Sequence, residues 1–262
     1  MTRIFTIAKT VWLEMLRRKD LYVLCILLAA MLLFLVSVDV FGISGIKRYV
    51  VDVGLLLAWV FGWILAVNVS TRQLPREEHQ GTIFSLLAKP ISRAELIVGK
   101  WLGAWTLTGG ALTSFYLALA LVTLLRGGTL DAAAYTQAWL LHLMALAIVT
   151  SMGFLLSARM HQDAAAALTF VLSGGAFLML PNVPQLMADG EGVSTVVMMS
   201  FYYAMPHFEC FDMRQRIVHE WGAADGRIVL GVAVYGAVWT VLLLLLAWLA
   251  YRRKHFARDA VG

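Results

Sequence analysis

Six stretches of this chain are apolar enough and long enough to cross a lipid bilayer, and that leaves it few ways to fold. A helix needs about 20 apolar residues to span the hydrocarbon core. It also satisfies its own backbone where no water is available to do so. The runs lie at about 21–40, 53–69, 101–125, 135–158, 164–180 and 228–251. None has a Lys, Arg or Glu in its interior, and Asp39 sits at the end of the first. Charged residues make up 14% of the chain, against about 25% in soluble domains. The expected fold is therefore an all-α integral membrane protein with six transmembrane helices, forming one membrane domain over 21–262 behind a separate N-terminal segment, 1–20.

Lys and Arg outside the spans set the expected orientation. Of the 21 such residues, 15 fall on one side. They are in the N-terminal segment, the connection between spans two and three, Arg159 and the tail from Arg252 to Arg258. Both termini are expected in the cytoplasm. The net charge of +5 is read as membrane-flanking charge rather than as a nucleic-acid surface. The apolar run 193–205 is short for a span and suits an interfacial or re-entrant helix; counting it as a span would place the basic tail outside. Cys25 lies in an apolar run and Cys210 in a polar loop, so no disulfide framework is expected, and no signal peptide is evident.

Three polar pieces punctuate the spans. Residues 1–20 read as an amphipathic helix. Ile4, Ala8, Val11, Trp12 and Met15 lie on one face, and Arg3, Thr6, Lys9, Thr10, Glu14 and Arg17 on the other. Such a helix is expected to lie in the membrane interface. The connection 70–99 reads as a short helix from Glu77 to Leu87, a break at Pro90, and a capping box at Ser92-Arg93-Ala94-Glu95 that opens the third membrane helix. The segment 181–226, with Pro181, Pro184, Pro206 and many aromatics, is expected to cap the external end of the bundle.

The connection 70–99 resembles the membrane subunits of ABC-2 type ATP-binding-cassette transporters. The matching residues are Arg76-Glu77-Glu78, Gly81-Thr82, the apolar 83–87, Pro90-Ile91-Ser92-Arg93 and Gly99-Lys100. Phe84 departs from the pattern, since relatives often carry an acidic residue there. The likeness extends to permeases of the nitrous-oxide-reductase maturation and gliding types. It implies an elbow helix at 1–20, a cytoplasmic coupling helix, and contact with a separate cytosolic ATPase through Glu77, Glu78, Gly81, Thr82, Phe84, Leu87, Pro90, Ser92 and Arg93. It implies no cofactor on this chain, with ATP and Mg on the partner ATPase, and a bacterial inner-membrane location. The implied partners are that ATPase, a second copy of this chain or a related permease, membrane lipid and a periplasmic accessory protein, with no nucleic acid. Tyr202, Tyr203 and Phe208 would form an external gate.

Other motifs carry less weight. Leu172-Ser173-Gly174-Gly175 spells the start of an ATP-binding-cassette signature, but it lies inside a span. The chain also has no phosphate loop, so it is not expected to be an enzyme. Glu77-Glu78 resembles the paired glutamates of intramembrane proteases, yet the pair sits in a connection. His142 is the one His deep in a span, and a neutral His bonded to a neighbouring helix is favoured over a proton relay or a partner for Ser151 or Ser173. His207, Glu209, Cys210, Asp212 and His219 are too loosely spaced for a metal site. Two alternatives to the permease are an intramembrane hydrolase or transferase and a non-transporting anchor of an ATPase complex.

Overall fold

The computed structural model describes residues 2–17, 26–27, 30–31, 46–79, 92–125, 128–188 and 193–252. Among these, the regular elements are all helices. The helices are α1 (Thr2–Arg17), α2 (Ile46–His79), α3 (Arg93–Leu125), α4 (Ala132–Ser157), α5 (Gln162–Met179), α6 (Val183–Ala188), α7 (Val193–Ala204), α8 (Arg214–Val218) and α9 (Gly226–Arg252). Five are long and apolar enough to cross a membrane, over Val50–Pro75, Arg93–Leu125, Ala132–Ser157, Gln162–Gln185 and Gly226–Arg252. They match the second to sixth expected spans. The first, 21–40, lies outside the described residues except for 26–27 and 30–31, where Met31 is buried and Ile26 is exposed.

The spans alternate in direction. One end of the bundle gathers the end of α2, the start of α3, the α4–α5 turn and the end of α9 with Arg93, Arg159 and Arg252; we call it the basic end. The other carries residues 180–188 and 193–225 and is the capped end. The central helix is α4, which contacts α2, α3, α5 and α9. In α4, 72% of the most apolar stretch is buried against protein, compared with 22% in α9. Its small residues Ala138, Ala145, Ala147, Ser151 and Gly153 are buried, and small residues let membrane helices approach closely. A Cβ at Gly153 would collide with Ser70 Oγ of α2.

Indole N–H groups stitch this core. From α3, Trp101 donates to Thr150 Oγ1 (3.1 Å) and Trp105 to the Leu143 carbonyl (2.9 Å). From α4, Trp139 donates to Thr113 Oγ1 (3.1 Å), and Trp63 of α2 donates to Ser173 Oγ of α5 (2.8 Å). Without water to bond, a buried indole needs a protein acceptor, and each of these finds one on another helix.

Two elements differ from expectation. The α2 helix continues through Pro75 to His79, so Glu77 and Glu78 end the second membrane helix rather than begin a separate one. Proline removes the donor to the carbonyl four residues back, here that of Thr71. Nearby, Lys100 Nζ, buried in α3, donates to the Gln73 carbonyl (3.2 Å). The expected amphipathic helix α1 forms, but its apolar face packs along α3. Ile7, Ala8, Val11 and Met15 are buried, while Phe5 and Leu13 are exposed.

Candidate functional site

At the basic end, Ser92 and Glu95 form the reciprocal capping box. Glu95 N donates to Ser92 Oγ (3.2 Å), and Glu95 Oε2 accepts from Ser92 N (2.8 Å) and Ser92 Oγ (3.0 Å). Two orphan donors of the α3 terminus are thereby satisfied. One residue on, Arg93 Nη1 donates to the carbonyls of Tyr251 (3.0 Å) and Arg252 (2.9 Å), the last two residues of α9. A cation at a helix C-terminus both bonds orphan carbonyls and faces the negative end of the dipole. Lys100, two turns along α3, bonds the end of α2 as described above. Arg93 and Lys100 thus hold helix ends together, a role that sequence pattern does not mark.

Gly99 and Gly103 complete this junction. A Cβ at Gly99 would stand 2.8 Å from Ile7 Cβ and 3.1 Å from the Ile4 carbonyl. One at Gly103 would stand 2.8 Å from Val11 Cβ and 2.9 Å from the Ala8 carbonyl. The two glycines, four residues apart, form a trough for the backbone of α1, and Trp12 Nε1 donates to Thr106 Oγ1 (3.0 Å) further along. Of the residues expected to meet an ATPase, Glu77 and Glu78 are placed in the last turn of α2. Gly81, Thr82, Phe84, Leu87 and Pro90 lie outside the described residues. Ser92 and Arg93 face the junction itself.

At membrane depth, His142 is fully buried. Its Nδ1 is 3.3 Å from the Tyr116 hydroxyl of α3, its ring stacks on Trp59 (4.0 Å between centroids), and its Nε2 has no hydrogen-bond partner. Ser151 Oγ donates to the Ala147 carbonyl, and Ser173 Oγ donates to Thr169 while accepting from Trp63. The hydroxyl beside His142 is therefore a tyrosine's, on a neighbouring helix, and neither serine is set up as a nucleophile by a histidine.

The capped end is built from side chains that return to the spans. The His207 amide donates to Tyr235 Oη of α9 (3.0 Å), and Phe211 packs on Gly236. Gln137 of α4 bonds both the N–H and the carbonyl of Ala224. Arg214 Nε lies 3.4 Å from Asp52 Oδ1 of α2. That is close enough for attraction but not aligned for a hydrogen bond, and both atoms lack a hydrogen-bond partner. Arg214 N also donates to Asp212 Oδ1 (2.9 Å). Of the expected gate residues, Phe208 is buried, Tyr202 packs edge-on against His207, and Tyr203 is exposed. The loose donor cluster is drawn into such contacts, with His207 Nδ1 2.9 Å from Glu209 Oε1. Among the described residues, no three His, Cys, Asp or Glu side chains converge as a metal site.

A bundle of five helices each long and apolar enough to cross a bilayer is that of a multi-pass membrane protein. The chain belongs to the ABC-2 family transporter proteins, whose family model matches residues 6–253. It is thus a membrane component of an ABC transporter, a permease. None of the curated proteins is significantly similar to it.

Proposed function

We propose that this chain is the permease subunit of an ABC-2 transporter in a bacterial inner membrane. It couples ATP hydrolysis on a separate cytosolic ATPase to movement of a substrate, or of force, across the membrane. Two such subunits pair, and each receives one ATPase at the basic end, which faces the cytoplasm. Glu77, Glu78, Gly81, Thr82, Phe84, Leu87 and Pro90 supply the ATPase contact, and Tyr202, Tyr203 and Phe208 belong to the external gate. The observation that carries the coupling reading is the junction at Arg93 and Lys100. The segment between α2 and α3 begins on a helix that also spans the membrane, and it ends on a capped helix whose cations grip the ends of α2 and α9. A displacement applied there reaches three spans and α1 together. Such a push shifts the bundle only if the ATPase contacts its two states differently.

The test is a mild-detergent pull-down of the tagged chain, with mass spectrometry of its partners. Recovery of a protein with phosphate-loop and signature motifs is expected, together with its loss in the Glu77→Ala/Glu78→Ala variant. Should that variant retain both the ATPase and ATP-dependent activity, the assigned contact is wrong. Recovery of the folded chain alone would remove the ATPase partner from the reading.

A further inference from the structure

At the capped end a pocket of about 580 Å³ lies between the start of α2, the α3–α4 connection, and α8 with the turn that follows it. Pockets of that size hold small molecules, and in helical proteins they form between helices. Val51, Ala134 and Val218 give this one a buried apolar floor. Its rim is charged, with Arg48, Asp131, Arg216 and Glu220 all lining it. Arg48, Asp131 and Glu220 are exposed and Arg216 is half-buried, so all four can be reached from outside.

The charges are sorted by sign. Arg48 stands on α2 and Arg216 on α8, two helices that pack together. The acidic pair is assembled by the turn after α8, which runs through left-handed backbone at Glu220 (φ 55°) and Gly222 (φ 74°). The Trp221 amide closes it on the Arg216 carbonyl (3.0 Å). The turn brings Gly222 beside Asp131, where a Cβ would stand 3.8 Å from Asp131 Oδ2. Asp131 Oδ1 is spent on capping α4, accepting from the amides of Ala133 (2.9 Å) and Ala134 (3.3 Å). A non-glycine residue at positive φ is uncommon, and such strained backbone collects at ligand clamps. Among the described residues, no ion pair joins any two of these four side chains. Charges of both signs thus face one pocket without neutralising each other. An anion there is drawn to the guanidinium groups and repelled by the carboxylates, and a cation meets the reverse. A molecule that carries both charges is attracted at both ends.

We propose that this pocket binds a compact zwitterion, with an acid group and a primary ammonium a few atoms apart. The acid accepts from Arg48 and Arg216, whose forked donors suit phosphate and carboxylate. The ammonium donates to Glu220 and to Asp131 Oδ2, and the carbon chain between the charges lies on the apolar floor. The phosphoethanolamine headgroup of a phospholipid and a free amino acid share this chemistry. The site is a property of the folded chain alone and does not rest on the ATPase coupling proposed above.

The experiment uses the full chain in maltoside detergent, stripped of lipid and without ATPase. Equilibrium dialysis measures binding of glycerophosphoethanolamine and β-alanine, both zwitterions. Glycerophosphoglycerol supplies the same phosphate without the ammonium, and ethanolamine the ammonium without the phosphate. We expect one saturable site per chain for a zwitterion, at least about tenfold tighter than for either singly charged probe. Tighter binding of glycerophosphoethanolamine assigns the site to a phospholipid headgroup, and tighter binding of β-alanine to a free amino acid; either order upholds the proposal. Glu220→Gln narrows the gap between glycerophosphoethanolamine and glycerophosphoglycerol to within about threefold. The double variant Arg48→Ala/Arg216→Ala weakens the zwitterion to the level of ethanolamine. Thr129→Trp, at an exposed residue that lines the pocket, blocks it and abolishes binding without touching a charge. The proposal is overturned if no saturable site exists, if either singly charged probe binds as tightly as the zwitterions, or if the double variant and Thr129→Trp both bind normally.

Discussion

The guanidinium of Arg93 stands where α9 leaves its last carbonyls and the negative end of its dipole. Hydrogen bonds from a charged donor contribute about 1.5–3 kcal/mol, and solvent at this half-exposed position reduces that. Arg93→Ala is expected to destabilise the protein by about 1 kcal/mol and to speed hydrogen exchange in the last turn of α9. Arg93→Lys, a point donor without the fork, recovers only part of this. An unchanged melting temperature together with unchanged exchange would refute the clamp. Cys210 gives a second residue-scale prediction. Its thiol pKa is raised above the ordinary value, first by partial burial and then by the neighbouring Glu209 carboxylate. Since the thiolate is the reactive form, maleimide labelling near pH 7.5 is expected to run slower than for a free thiol and to gain more as the pH rises. Glu209→Gln removes the smaller contribution, so the rate at fixed pH rises modestly. Equal rates for the two proteins would mean that the carboxylate does not reach the thiol.

At the scale of elements, glycines decide which helices touch. Gly103 admits the α1 backbone at a distance that no other side chain allows. Gly103→Val is expected to push α1 off α3, costing on the order of 1–3 kcal/mol and raising hydrogen exchange across residues 2–17. Gly231→Ala is the control. Nothing stands within 4 Å of its added Cβ, so it is expected to be neutral or to stabilise by up to about 1 kcal/mol through helix propensity. If both variants melt alike, the trough is not what seats α1. The sequence makes part of this legible. Apolar length marks the second to sixth spans to within a few residues at most ends, and the Ser92–Glu95 spacing marks the start of α3 because a capping box is local. What it leaves dark depends on partners far along the chain. Pro75 lies inside α2 although Pro90 is the expected break, and the Lys100 that bonds the Gln73 carbonyl beside it is 27 residues further along the chain. Arg93, expected to face an ATPase, grips carbonyls more than 150 residues away. The indole bonds of Trp63, Trp101, Trp105 and Trp139 are likewise invisible to hydrophobic periodicity, which gives the buried face of a helix but not its neighbour.

For the whole molecule, the two ends differ in electrical character, and that difference sets the expectation for how the bundle sits in a membrane. Arg72, Arg93, Lys100, Arg159 and Arg252 gather at the basic end, together with Glu77, Glu78, Glu95 and Asp163. At the other end Arg48, Arg214, Arg216 and Arg227 are matched by Asp52, Asp131, Asp212, Glu220 and Asp225. Positive charge is retained on the cytoplasmic side during insertion, whereas acidic residues matter little to orientation. The basic end is therefore expected to be the cytoplasmic one. At 34 residues, α2 is about 51 Å long, well beyond the roughly 30 Å hydrocarbon core. It joins the Glu77-Glu78 turn at one end to the Asp52–Arg214 pair at the other, so one helix connects the proposed ATPase contact with the capped end. The orientation can be read with two thiols in a Cys25→Ser background. One is native Cys210, exposed in the cap. The other is introduced by Thr10→Cys on the exposed face of α1. In intact cells a membrane-impermeant maleimide is expected to label the first and spare the second, and permeabilisation is expected to expose both. Labelling of position 10 but not Cys210 in intact cells would invert the molecule, putting the Glu77-Glu78 turn out of reach of any cytosolic ATPase.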